Sequence, residues 1–126
     1  MDDLGPSPAL LNVQLAMPPS VNSIWRTTVR NGKPQTYRAK SYTEWMNTAA
    51  WTVKSAIAKT GQIKGDVSLF VNLSPRRGDL DNRLKAICDA LVHGGALEDD
   101  DQIVSIMALW CGDKRRPGAH VRLRRR

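Results

Sequence analysis

The sequence predicts an α+β fold: a small mixed β-sheet packed against helices in two layers. Two stretches repeat apolar residues every three or four positions, as helices do. They alternate with four short stretches of β-type patterning, which is how a small sheet with helices on one face is written. The chain has 126 residues, 41% of them hydrophobic, enough for one domain with a real core. No internal repeat is present.

Residues 1–10 are acidic and broken by Gly5, Pro6 and Pro8. They read as a flexible tail, leaving residues 11–126 as the single domain. Leu11, Val13, Leu15 and Met17 alternate as in a half-buried strand, ended by Pro18 and Pro19. Residues 20–40 lack periodicity but carry Arg26, Arg30, Lys33, Arg38 and Lys40, with Trp25 and Tyr37 among them. Asn31-Gly32 is a preferred two-residue hairpin centre, so this region reads as a mobile basic hairpin or loop. Arginines beside aromatics suit phosphate contact with base stacking; the plainer alternative is a solvated loop with Trp25 in the core.

Ser41-Tyr42-Thr43-Glu44 has the form of a capping box. The helix it opens presents Tyr42, Trp45, Met46, Ala49, Val53, Ala56 and Ile57 on one side and stops at Gly61. That stripe is core rather than a cofactor site. Residues 66–73 form a strand with Val67, Leu69, Val71 and Leu73 on one face. Pro75, Arg76, Arg77 and Gly78 turn the chain into a second helix, where Leu80, Leu84, Ile87, Cys88 and Leu91 recur and His93, Gly94 and Gly95 close. Residues 102–111 are apolar on both faces, which predicts a central strand. A basic turn, residues 112–118, leads to a last strand with Val121 and Leu123 on one face and Arg122 and Arg124 on the other.

The formal charge is +7 and the pI about 9.9, which points to an anionic partner, nucleic acid first. No basic amphipathic helix suggests a membrane surface, no apolar run approaches the roughly 20 residues that span a bilayer, and the start is no signal peptide. The expectation is a cytoplasmic protein with no membrane partner. Cys88 and Cys111 are too few and too far apart for a zinc motif, and read as buried reduced thiols.

From Asp79 to Asp101 the background inverts. Asp79, Asp81, Asp89, Glu98, Asp99, Asp100 and Asp101 stand against Arg83 and Lys85, a local charge of −5 where the rest of the chain carries +12. Asp81, Lys85 and Asp89 share the polar face of the second helix, each one turn from the last. An acidic pocket in a cationic surface suits a metal site that meets a polyanion. Hard divalent cations take carboxylate oxygens, so Asp79, Asp81 and Asp100 are candidate ligands for metal-assisted phosphodiester hydrolysis. Lys85 is placed to steady phosphoryl charge. Asp79 and Asp81, two apart where the turn enters the helix, can face one cavity, and Asp100 is expected to approach them there if the second and third strands are parallel neighbours joined by a helical crossover. A structural reading stands beside this one: Asp81 as a helix cap, Asp81–Lys85 as a surface pair, and Glu98–Asp101 as a solvated loop. On the residues alone, a metal-dependent nuclease and a non-catalytic nucleic-acid-binding protein both fit.

The stretch RRGDLDNRLKAICDAL, followed by EDDDQIV, resembles the signature of the RusA family of Holliday-junction resolvases. MPPSVNSIWR resembles that family's early P-P-S-x-N motif, and the likeness runs from about residue 11 onward. It implies a RusA-like fold and three metal-binding catalytic aspartates, Asp79, Asp81 and Asp100, the last chosen by counting back from Gln102. Lys85 matches the catalytic-site lysine, Asn82 a structural asparagine. The resemblance also implies Mg²⁺, with Mn²⁺ as a substitute, and a homodimer that nicks four-way junction DNA symmetrically, leaving 5′-phosphate ends. Such an enzyme serves DNA recombination and repair in a bacterium or a phage. DNA contacts are expected from Arg76 and Arg77 beside the site and from Arg26, Arg30, Lys33 and Arg38 of the hairpin. Ile103 stands where the family has valine, and Arg124–Arg126 have no family counterpart.

Overall fold

The computed structural model describes residues 9–19, 40–74, 80–111 and 117–126, together with the backbone of 25–30 and 33–38. Its elements are β1 (Ala9–Leu15), β2 (Trp25–Arg30), β3 (Lys33–Arg38), α1 (Lys40–Ala56), β4 (Val67–Ser74), α2 (Leu80–His93), β5 (Ile103–Trp110) and β6 (Gly118–Arg125), with a 3₁₀ turn at Asp100–Gln102. Four strands form one sheet in the order β1-β6-β4-β5. β4 and β5 run parallel, while β6 is antiparallel to both β1 and β4. The mixed sheet packed against two helices is the α+β arrangement that the alternating periodicities require.

Period-two patterning explains the inner face of the sheet. Leu69 and Leu73 of β4 and Val121 and Leu123 of β6 are fully buried, as are Ile87 and Leu91 of α2. Each such side chain contributes roughly 1.5–3 kcal/mol by leaving water. With Val13 and Leu15 of β1 and Met46, Ala49 and Val53 of α1 they make a single core. The helices cross at Gly94, where a Cβ would sit 2.6 Å from the Cβ of Val53; only glycine admits that approach. Gly95 then takes φ +83° and ends α2.

The hairpin is present: β2 and β3 pair antiparallel with Arg30 opposite Lys33, leaving two residues for the connection, as Asn31-Gly32 calls for. Asn31 and Gly32 themselves lie outside the described residues. β1 starts at Ala9, so strand backbone reaches into the stretch expected to be tail, while residues 1–8 lie outside the described ones.

Four expectations need correction. α1 begins at Lys40, which puts Ser41 inside the first turn rather than at the cap, and Glu44 instead lies 3.8 Å from Lys40 in an exposed ion pair. Ala56 is exposed and Trp45 only half-buried, its indole N–H donating to the Ala16 carbonyl at 3.0 Å. Cys111, at the end of β5, is exposed rather than buried. Most consequentially, β5 is an edge strand and not a central one. Its run IVSIMALW has the two-sided apolar character of a buried strand, yet Val104, Ile106, Met107 and Leu109 are 45%, 49%, 54% and 56% exposed.

Candidate metal centre

The required crossover exists. α2 leaves the C-terminal end of β4, runs back along the sheet, and returns the chain to β5 lying parallel beside β4. The acidic residues that open β5 are thereby carried to the lower half of α2. A cleft of about 250 Å³ there is lined by Asp89, Val92 and His93 of α2 and by Glu98, Asp99 and Asp100.

Local hydrogen bonding holds the acidic loop in shape. Asp99 is the N-cap of the 3₁₀ turn, and its Oδ1 accepts the Asp101 amide at 2.9 Å. Gln102 works in both directions. Its Oε1 accepts the amides of Glu98 at 2.8 Å and Asp99 at 3.2 Å. Its Nε2 donates to the carbonyls of Ile63 at 3.0 Å and Gly65 at 2.9 Å, on the segment leading into β4. One side chain thus closes the loop and ties it to the sheet.

The result is a crowded set of carboxylates. Oxygens of Asp99, Asp100 and Asp101 lie within 4.8 Å of one another, the only such trio of potential ligands among the described residues. Asp100 has its pKa raised, first by a side-chain hydrogen bond with Asp99, then by desolvation and by the charges of Asp99, Asp101 and Asp89. Like charges this close favour a shared proton or a cation. An all-oxygen donor set is the chemistry of a hard divalent ion, so the trio is able to coordinate one. Cys88, next to Asp89, has its thiol pushed up to about 11 by burial first and then by Asp100 and Asp89.

The residues expected in the site are distributed as follows. Asp100 stands in the acidic trio. Asp81 and Lys85 are exposed on α2, at the first turn and one turn later. Asp81 lies about 12 Å up the helix axis from Asp89 at 1.5 Å per residue. The expectation that Asp100 meets Asp81 is therefore corrected: a parallel return starts β5 at the end of the sheet where α2 finishes, so Asp100 reaches Asp89 and His93, and the polar stripe Asp81, Lys85, Asp89 runs down α2 toward it. Asp79, Arg76 and Arg77 lie outside the described residues, as do the side chains of Arg26, Arg30, Lys33 and Arg38, whose backbones stand in the β2–β3 hairpin.

Asp89 and Gln102 border or brace the acidic trio and a third residue, Arg83, ties α2 to the N-terminal segment; the sequence carried a signal for the first two. Asp89 was marked by its place on the stripe, two turns after Asp81, and it is the α2 carboxylate nearest the trio's influence; the Tyr42 hydroxyl of α1 donates to its Oδ2 at 3.4 Å. Gln102 was visible as a motif letter, but its four bonds reach residues up to 39 positions away. Arg83 donates from Nη1 to the Pro18 carbonyl, linking α2 to the MPPSVN segment, which sequence spacing alone does not reveal.

Comparison with known proteins identifies the family. The family model for endodeoxyribonuclease RusA matches residues 16–124. A crossover junction endodeoxyribonuclease rusA of Enterobacteria phage HK97 is 35% identical over 98 residues, covering 75% of this chain and 78% of that protein. No helix among the described residues is long and apolar enough to cross a membrane.

Proposed function

The chain belongs to the RusA family of endodeoxyribonucleases, and from that premise we propose that it is a Mg²⁺-dependent homodimeric enzyme that resolves four-way DNA junctions. The observation that carries the metal dependence is the gathering of Asp99, Asp100 and Asp101 against Asp89 of α2. A protein of net charge +7 that concentrates its carboxylates at one place is arranged to bring a cation to a polyanionic substrate.

In this reading Asp100, with Asp99 and Asp101 and with Asp89 beside it, holds an ion at the foot of α2, while Asp79 and Asp81 are the catalytic carboxylates at its head, about 12 Å further along the helix. Bound Mg²⁺ would supply Lewis acidity and lower the pKa of a coordinated water. Lys85 lies one turn from Asp81 and one from Asp89, so its ammonium meets the phosphoryl oxygens as negative charge grows on them. Gln102 acts by positioning: it fixes the loop that presents Asp100. Arg76, Arg77 and the hairpin residues Arg26, Arg30, Lys33 and Arg38 hold the flanking phosphates. Binding by so many cations releases counterions and weakens steeply with salt. A four-way junction has two-fold symmetry, and a two-fold protein presents one site to each of the strands to be cut.

Cleavage of a labelled four-way junction beside a linear duplex of the same sequence, in Mg²⁺ and in EDTA, tests the proposal. Paired, symmetric, Mg²⁺-dependent nicks on the junction alone are expected, with Asp100→Asn at least about 100-fold slower while still binding. A junction bound but left intact in both Mg²⁺ and Mn²⁺ would sink the catalytic reading.

A further inference from the structure

The face of the sheet turned away from the helices carries positive charge and an aromatic ring. Alternate residues of a strand point to opposite faces. Leu69 and Val71 of β4 and Val121 and Leu123 of β6 enter the core beneath α1 and α2, which leaves Phe70, Arg122 and Arg124 on the other side. Arg122 lies opposite Phe70 and Arg124 opposite Ser68, and the Ser105 hydroxyl of β5 donates to that of Ser68 at 2.7 Å. A cleft of about 530 Å³ opens here, with Phe70, Met107 and the two serines along it and Arg124, Arg125 and Arg126 at the β6 side. None of the residues that line it is acidic. The acidic cleft is lined from α2 and so lies across the sheet.

We propose that the cleft on this open face holds an unpaired DNA strand, with a base resting on Phe70 and the phosphates following the arginines of β6. The inference goes beyond the resolvase reading. It uses none of the residues given DNA contacts there, and Arg124–Arg126 have no counterpart in the family.

Charge, ring and size each support this occupant. Arg122, Arg124 and Arg126 recur at every second residue, so they rise along β6 at intervals of about 7 Å, a ladder for successive phosphates of an extended strand. The Arg126 amide donates to the Asp66 carbonyl at 3.1 Å, which fixes the end of the ladder to the sheet. Arg124 is only 7% exposed; beside Phe70 and Met107 its charge acts through a lower dielectric than a surface arginine's, which strengthens its pull on a phosphate. Phe70 lines the cleft while half-buried, so its strand neighbours hold the ring where a base can stack on it. The volume falls among sites that enclose a small organic molecule, about 300–1,000 Å³, and exceeds what a phosphate alone fills. A duplex presents phosphates and base edges and keeps its base faces stacked inside, so it has no use for the ring. An unpaired strand uses both.

Fluorescence anisotropy of a short labelled oligothymidylate, with the full chain in EDTA, tests the site; an abasic strand of equal length reports phosphate contact alone. Wild type is expected to bind the oligothymidylate at least about tenfold more tightly than the abasic strand. Phe70→Leu should remove that difference, and Arg126→Gln should weaken both strands alike, each with unchanged circular dichroism. Trp51→Ala, at the 68% exposed tryptophan of α1, should leave binding unchanged. Photocrosslinking of wild type to a strand carrying iododeoxyuridine, which needs no variant to fold, should place the adduct on the β4 peptide that contains Phe70. Equal affinity for the two strands overturns the proposal, as does an adduct confined to residues 20–40 or to α1, or binding lost only in Trp51→Ala. Displacement by thymidine monophosphate at equal nucleotide concentration overturns it too, since the cleft would then be a mononucleotide site. Junction cleavage in Mg²⁺, read separately, keeps the two readings apart. A nicked junction with no strand binding refutes this site and spares the nuclease, and strand binding without nicks does the reverse.

Discussion

Replacing Gln102 by alanine removes the one side chain that both closes the acidic loop and fastens it to the chain before β4. Four hydrogen bonds go at once: two accepted from the amides of Glu98 and Asp99, two donated to Ile63 and Gly65. A net hydrogen bond is worth about 0.5–1.5 kcal/mol, and since three of these are exposed the low end applies, giving a loss of about 2 kcal/mol. For a chain of 126 residues that corresponds to a melting temperature lower by roughly 8 °C. The loop opens before the domain does, so amide exchange at Glu98 and Asp99 should accelerate more than exchange in β4. Gln102→Glu, which keeps the acceptors but loses both donors and adds a negative charge beside the trio, should be no better. The assay is calorimetry with a Mg²⁺ titration, because a loosened loop presents Asp100 in many positions and weakens metal binding beyond what stability alone explains. If Gln102→Ala melts within about 1 °C of wild type and binds Mg²⁺ equally well, the loop is held by something else and the positioning role is wrong.

Other expectations follow from the same geometry. Because the folded-state pKa of Asp100 is raised, the metal-free fold binds its proton more tightly than the unfolded chain does. Stability from this group is therefore full below the ordinary carboxylate pKa and is lost as pH rises through the folded value. A divalent cation replaces that proton, so the melting-temperature gain from Mg²⁺ should grow as pH rises out of the acidic range; a gain independent of pH would refute the shared site. Asp100→Asn should abolish that gain and slightly stabilise the metal-free protein, since it removes one of several crowded charges; unchanged Mg²⁺ stabilisation in this variant would remove Asp100 from the ligand set. Thiol labelling at pH 8 should modify exposed Cys111 quickly and Cys88 slowly, because burial and the nearby carboxylates hold the Cys88 thiol protonated up to about 11; mass spectrometry of the labelled peptides reads the ratio, and equal rates would contradict the packing of α2. Gly94→Ala drives a Cβ to within 2.7 Å of the Ala50 carbonyl and the Val53 side chain, and should cost about 1–3 kcal/mol through separation of the two helices; a neutral melting temperature would show that the crossing has slack.

What the sequence determined by itself is whatever depends on neighbours in the chain. Apolar spacing marks α1 and α2, alternation marks β1, β4 and β6, and Asn31-Gly32 marks the hairpin, because helix and strand periods are local properties of the backbone. The polar stripe Asp81, Lys85, Asp89 and the acidic run at 98–101 were legible for the same reason. The tertiary structure alone decided which of these meet. Asp100 faces Asp89 because β5 returns parallel to β4, and Gln102 matters because residues 63 and 65 happen to pass beside it. Neither relation leaves a trace in local spacing. The position of β5 is the plainest case. A strand apolar on both faces has the same sequence whether it is covered by its own sheet or left at an edge, since burial depends on what lies alongside, and the chain does not record that.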